Sequence, residues 1–177
     1  MLERALRGGE PGLSPERAAA TLARSRKGLK RLVQVLSSPG APGPRRAALY
    51  ECLFVKLTSW QCLLLWRVYA DANEAPAIRA QAAEALATQY TGFRPRWRRR
   101  YQCIVESLMR GLEDPEPEVR FWSIYALACL KEARMRPQLQ HIAAHDTAHC
   151  PGMWSLRQEA LWALGRLEGR ELEPRTL

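Results

Sequence analysis

The segment at residues 114–132, Asp-Pro-Glu-Pro-Glu-Val-Arg-Phe-Trp-Ser-Ile-Tyr-Ala-Leu-Ala-Cys-Leu-Lys-Glu, carries a pattern that recurs along the chain, and this recurrence limits the possible folds more than any other feature. Pro115 and Pro117 are excluded from a helix interior, and Glu116 and Glu118 suit the positive end of a helix. Val119, Ser123, Ile124, Leu127 and Leu130 then follow at a period of about 3.6, so a turn feeds a helix with one buried face. Anchored on Arg120, the same frame fits Arg79, with Ile78, Ala82, Ala83, Ala85 and Leu86, and Arg157, with Leu156, Ala160, Leu161, Ala163 and Leu164. It also fits Arg46, with Leu49, Tyr50, Cys52 and Leu53, although Arg45 there replaces the apolar residue that precedes the other anchors. The anchors are 33, 41 and 37 residues apart, which points to connecting loops of unequal length.

Each interval holds a second apolar helical pattern, at residues 58–70, 100–112 and 135–144, with 29–36 ahead of the first anchor. A helical pair of roughly 40 residues is the period of stacked helical repeats, in which each pair buries its faces only against its neighbours. Four pairs fit the length of 177 residues. The opening Asp-Pro-x-Pro-Glu-Val-Arg at residues 114–120, followed by a small-residue helix ending in Ala-Leu, resembles the HEAT family, in particular its bilin-lyase-like branch of PBS-lyase-type repeats. The resemblance spans residues 29–167 and is strongest over 114–130. It implies an all-α fold, a right-handed α-solenoid of about four HEAT-like hairpins with an N-terminal helix. In such repeats the arginine commonly pairs with the aspartate that closes the preceding helix. Carried over, this matches Asp114 with Arg120, Asp71 with Arg79 and Asp146 with Arg157, while Arg46 meets Ser37 and Ser38 instead.

The expected organisation is a flexible N-terminal arm at 1–13, a single solenoid domain at 14–169 and a C-terminal tail at 170–177. Gly8, Gly9, Pro11 and Gly12 oppose helix formation in the arm, and Ser14-Pro15-Glu16-Arg17 offers an N-cap, a proline at the first helical position and an early acid. Gly28 is a candidate break or bend. The Pro- and Gly-rich residues 38–44 read as a connection that no helix crosses, leaving the next helix to run over 45–57. The helix at 58–70 is apolar nearly all round and is expected to be the most buried element. An alanine-rich helix follows at 77–90.

With 47% hydrophobic and 25% charged residues the chain has an ordinary globular balance. The five cysteines are an odd number without CxxC spacing, which predicts free thiols and a reducing, cytoplasmic setting. No export signal is expected, and Lys56, Gln61 and Arg67 interrupt the most apolar run, which argues against a spanning helix.

Candidate binding residues fall into three groups. On the second helix of each pair, which lines the concave face in HEAT-like stacks, positions +2, +5 and +9 from the anchor share a face distinct from the core positions +3, +4 and +7. That face reads Ala48, Glu51, Val55; Gln81, Glu84, Thr88; Trp122, Tyr125, Cys129; Glu159, Trp162, Arg166. Trp122, Tyr125 and Trp162, with the acids Glu51 and Glu84, are therefore candidate contacts for another protein; the alternative is that the aromatics pack on an adjacent loop or turn partly inward. The second group is basic: Arg94, Arg96, Trp97, Arg98, Arg99 and Arg100, together with Arg24, Arg26, Lys27, Lys30 and Arg31. With a net charge of +9, these suit a nucleic-acid phosphate backbone or an acidic protein, or they are solvated helix and loop surface. The third, His141, His145, His149 and Cys150, has the element types of a zinc site, although the spacing matches no ligand motif and surface histidines explain it as well.

Catalysis lacks support, since there is no phosphate-binding glycine loop, no His-Glu-x-x-His pair and no nucleophile with an evident base. No cofactor is expected. The residues favour a non-catalytic scaffold or adaptor that binds another protein, with nucleic-acid binding as the alternative. A third, minor reading is tetrapyrrole handling. Leu161, Leu164 and Leu167 stand where the last repeat can be left uncovered, so self-association or partner docking at that end is a further expectation.

Overall fold

The structure is a computed structural model that describes residue 4 and residues 12–37, 41–89 and 98–170. Most of the expected arm, loop residues 94–97 and tail residues 171–177 lie outside the described residues. The helices are α1 (Pro15–Ala23), α2 (Arg26–Leu36), α3 (Pro42–Glu51), α4 (Ser59–Ala70), α5 (Pro76–Gln89), α6 (Arg98–Arg110), α7 (Pro117–Cys129), α8 (Arg136–His145) and α9 (Leu156–Leu167). Short 3-10 turns at Gly111–Glu113 and Ala133–Met135 flank α6 and α8. The described residues contain one isolated bridge, His149 to Ser155, and no named strand. The fold class is all-α, of the HEAT-like solenoid type, with hairpins α2/α3, α4/α5, α6/α7 and α8/α9 after a leading α1. Backbone contacts divide the chain into two compact units, residues 1–89 and 90–177.

In the first unit α1 packs on α2 and α3, α4 packs on α5, and the two hairpins meet through α2 on α4 and α3 on α5. Ser14 caps α1 by accepting from the Arg17 amide at 3.4 Å. Thr58 and Gln61 close a full capping box at the start of α4. Gly28 does not break α2. It allows close packing, because a Cβ there would stand 2.1 Å from the Leu22 carbonyl oxygen of α1. Helix α3 begins at Pro42, inside the segment read as impassable: Pro42 and Pro44 sit in the first turn, where the amides have no helical acceptor in any case. It also stops at Glu51 rather than Leu57. The turn beyond it is held by Gln89, whose side-chain amide donates to the Cys52 and Val55 carbonyls at 2.8 and 2.9 Å and accepts from the Leu57 amide at 2.9 Å. The expectation that α4 is the most buried helix is corrected: Trp60 is 59% exposed, and the deepest burial falls on α5, where Ile78, Ala82, Ala83 and Leu86 are enclosed. Small alanines permit the close approach that bulky side chains prevent.

In the second unit α6 packs on α7, α8 on α9, and α7 on α9, around Ile104, Leu108, Ile124, Leu127, Leu139 and Leu156. Ser155 and Gln158 repeat the capping box at α9.

The repeat residues are placed as follows. Asp71, Asp114 and Asp146 each accept, through Oδ1, the backbone amide two residues on, from Asn73 (3.0 Å), Glu116 (3.1 Å) and Ala148 (2.9 Å). These are Asx turns, which shape the hairpin bend. Arg120 donates to the Asp114 and Pro115 carbonyls at 2.7 and 3.1 Å and to the Asp146 carboxylate at 3.0 and 3.4 Å. Asp146 therefore serves Arg120 of the preceding hairpin, and Arg157 is exposed. Arg79 donates to the Tyr69 carbonyl at 3.3 Å. In the first hairpin the anchor is Arg45, not Arg46: Arg45 is buried and pairs with Glu74, whereas Arg46 is exposed. Counted from Arg45, positions +3, +4 and +7 are Ala48, Leu49 and Cys52, all fully buried.

Two predictions follow from this packing. Gly28→Ala forces α1 and α2 apart and should lower unfolding free energy by about 1–3 kcal/mol in a urea titration; an unchanged midpoint would mean the helices separate freely. Arg120→Ala strands two carbonyls at the bend before α7 and a carboxylate at the bend before α9 and should cost about 1–3 kcal/mol, with Arg120→Lys recovering only part because an ammonium cannot span three acceptors.

Candidate partner-binding site

Three aromatics expected on one face do come together in the second unit. Trp122 and Tyr125 lie one turn apart on α7, with ring centroids 5.4 Å apart at 85°. Tyr125 stacks on Trp162 of α9 at 5.7 Å and 25°, bridging the two stacked second helices. Phe121 closes the inner end of the row against Trp122 at 5.4 Å. Arg166 closes the other end: its guanidinium carbon is 5.5 Å from the Trp162 ring centroid, and its Nε donates to the Ala128 carbonyl at 3.3 Å. Trp122, Tyr125 and Trp162 are half-buried and Phe121 is buried, so the row has a fixed inner edge and an accessible outer one. Rings held by one another and by a cation lose little freedom when a partner covers them.

Glu159 departs from the expected exposed face. It is fully buried and accepts from the Trp154 indole Nε1 at 2.5 Å. Gln81 and Ala48 are buried too, so positions read as +2 turn inward except at Trp122. Glu51 and Glu84 belong to the first unit and are half-buried. Burial raises the Glu51 carboxyl above its ordinary range, opposed by the Arg24 charge, and Glu84 accepts from the Gln81 side chain. Reanchoring the first hairpin on Arg45 moves its +5 and +9 positions to Tyr50 and Phe54, which sequence reasoning missed. They are 52% and 67% exposed and pack edge to face at 5.1 Å. The signal was present in the buried Leu49 and Cys52 that follow Arg45 at helical spacing.

The basic residues Arg24, Arg26, Lys27, Lys30 and Arg31 are exposed on α2 and the turn before it. Arg99 and Arg100 are exposed in the first turn of α6, which already begins at Arg98, so residues 98–100 are helical. Arg94, Arg96, Trp97 and the side chain of Arg98 lie outside the described residues. The His and Cys side chains do not form a ligand set: among the described residues no group of three or more His, Cys, Asp or Glu is placed to hold a metal ion. His141 and His145 stack at 4.6 Å, with His145 Nδ1 3.1 Å from the His141 carbonyl oxygen, His149 is exposed and Cys150 is buried. At the far side of α9, Leu161 is 51% exposed, and Leu164 and Leu167 are half-buried.

All five cysteines are free. Burial pushes the Cys52 thiol up to about 12 and the Cys62 thiol up to about 11, and raises that of Cys150, whereas Cys103 is exposed on α6.

The fold and this aromatic row define a helical-repeat protein whose paired helices present side chains along a stacked face. Residues 63–149 match the family model for HEAT repeats, which shows the resemblance read from the Asp114 and Arg79 patterns. No curated protein matches the sequence significantly. Among solved structures, the chain is similar to a chain in the complex of CpcE and CpcF of phycocyanin lyase from Nostoc sp. PCC7120. The TM-score is 0.72 at 18% identity, covering 92% of this chain and 95% of that one. Among the described residues no helix is long and apolar enough to cross a membrane.

Thiol labelling checks the site's surroundings. Cys103 should react with a thiol reagent in the native protein at pH 8, and Cys52 and Cys62 only after denaturation, because both burial and a raised pKa withhold the thiolate. Rapid native labelling of Cys52 or Cys62, read by peptide mass spectrometry, would contradict the packing of the first unit.

Proposed function

We propose that the protein is a non-catalytic scaffold that binds another protein, with Trp122, Tyr125 and Trp162 as its anchors on the second helices, those that line the concave face in HEAT-like stacks. The observation that carries this reading is the stacked, half-buried row of these rings across α7 and α9. Large rigid aromatics fixed by their neighbours are what interface hot spots are made of. A likeness in fold to a subunit of a two-protein complex supports a protein partner without identifying one. Glu51 and Glu84 are kept as candidate contacts in the first unit.

The test is affinity capture from native host extract at moderate salt, with nuclease present, comparing wild type with Trp122→Ala/Trp162→Ala. The variant should lose nuclease-resistant partners, with about 2 kcal/mol or more of binding energy removed, on the order of thirtyfold in affinity. Melting followed by circular dichroism confirms that the variant is folded. Full retention of every partner by a folded variant would overturn the reading.

A further inference from the structure

The first unit contains an open cavity of about 830 Å³ that the aromatic row does not involve. Its wall carries Arg26, Lys27, Lys30 and Lys56, with Leu29 and Leu57 between them and no aspartate or glutamate among the described residues. All four cations are exposed, and no hydrogen bond or ion pair occupies their side chains among the described residues. Thr58 and Gln61 complete the lining, but both are already engaged with each other in the capping box of α4.

Two helix starts meet at this cavity. Arg26 and Lys27 are the first two residues of α2, and Thr58 is the N-cap of α4. Neither helix has an acid in its first turn. A helix N-terminus carries partial positive charge and favours an anion, so cations placed there are of the wrong sign for stability. Two positive helix ends and four full positive charges thus surround one volume, and an anion inside it would relieve them all. The backbone on both sides of Lys56 is fixed by Gln89, which bonds the Cys52 and Val55 carbonyls and the Leu57 amide. The volume lies in the range of about 300–1,000 Å³ typical of small-ligand sites. Three ammonium groups act as compact point charges and one guanidinium supplies a fork, a donor set that suits a ligand with several phosphoryl oxygens. Leu29 and Leu57 are half-buried and give the ligand an apolar wall.

We infer that this cavity binds a small ligand bearing two or more phosphoryl groups on a body with an apolar part, the chemistry of a nucleoside di- or triphosphate. Lys27, Lys30 and Lys56 neutralise the phosphoryl oxygens, Arg26 adds a fork at the rim, and the apolar part rests on Leu29 and Leu57.

Isothermal titration of the full chain at fixed ionic strength tests this with tripolyphosphate and ATP as probes, and with an oligouridylate as the polymeric source of phosphate. One saturable site per chain is expected, filled more tightly by ATP than by tripolyphosphate. Lys27→Gln/Lys56→Gln should weaken it by about tenfold or more, as loss of two close charges requires, while Arg157→Gln in the second unit leaves it unchanged. Affinity should fall as salt rises. Absence of saturation, equal weakening by Arg157→Gln, or oligouridylate binding more tightly than ATP at the same residues would each overturn the small-ligand site. The exposed positions of both lysines keep the double variant folded, and its melting curve verifies this.

Discussion

A single short interaction, made three times, sets the geometry on which the rest of the molecule depends. Asp71, Asp114 and Asp146 stand at hairpin bends, and each turns its carboxylate onto the amide two residues ahead. A side chain that bonds its own backbone at that distance fixes the direction in which the chain leaves the turn. Because a repeat buries its apolar face only against its neighbours, an error of direction at one bend would misplace every contact of the helix that follows. Arginine then ties bend to bend. Arg120, four residues into α7, bridges the bend before its own helix and the one before α9. Arg45, four residues into α3, reaches onward to Glu74 ahead of α5. These pairs are largely withdrawn from water, so their value lies as much in register as in energy: a helix displaced by one residue would leave a guanidinium buried without its acid.

Much of this was legible from the residues themselves. Capping signals are local, and Ser14, Thr58 and Ser155 begin their helices as their side chains require. Apolar periodicity located the pairing of helices and the inward faces of α5 and α7, where +3, +4 and +7 from Arg79 and Arg120 are fully buried. What escaped was long-range. Pro42 suits a first helical turn, but Ala41 before it supplies no capping side chain and Gly43 follows, so the segment reads locally as a turn rather than a helix start. Gln89 bonds a turn more than thirty residues behind it, an arrangement no window of sequence contains. The carry-over of aspartate to arginine met Arg120 at Asp114, through the main-chain carbonyl, but failed at Asp146, whose carboxylate accepts from Arg120 of the preceding hairpin and leaves Arg157 exposed.

The candidate site shows the same division. Spacing alone brought Trp122, Tyr125 and Trp162 to one face, because the turn-to-turn periodicity of α7 and the repeat offset of α9 are both properties of sequence. Their degree of exposure was not, since it depends on Phe121 lying beneath and Arg166 lying over the row. Glu159 illustrates the cost of assuming otherwise: it shares the nominal outer face, yet it is enclosed with the Trp154 indole as its donor. A buried carboxylate of this kind is tolerated only with such a donor, so it belongs to the support of α9 rather than to any partner surface.

The frame error at the first hairpin has the largest consequence for function. Counting from Arg46 puts the acid Glu51 at the position equivalent to Tyr125 and Trp162, and so suggests a surface that passes from acidic to aromatic along the chain. Counting from the arginine that is buried and paired puts Tyr50 there instead, with Phe54 one turn beyond in edge contact with it. Three of the four hairpins then carry an aromatic ring at the same place on the second helix, and α5, with Glu84, is the exception. The repeat thus keeps two sets of positions apart. The +3, +4 and +7 positions counted from Arg45, Arg79 and Arg120 are small or aliphatic and enclosed, while the +5 position carries rings that are half-buried or exposed and, at Tyr125 and Trp162, meet each other between hairpins. An aromatic at +5 in both units, exposed at Tyr50 and half-buried at Tyr125 and Trp162, is the feature on which the proposed partner surface rests.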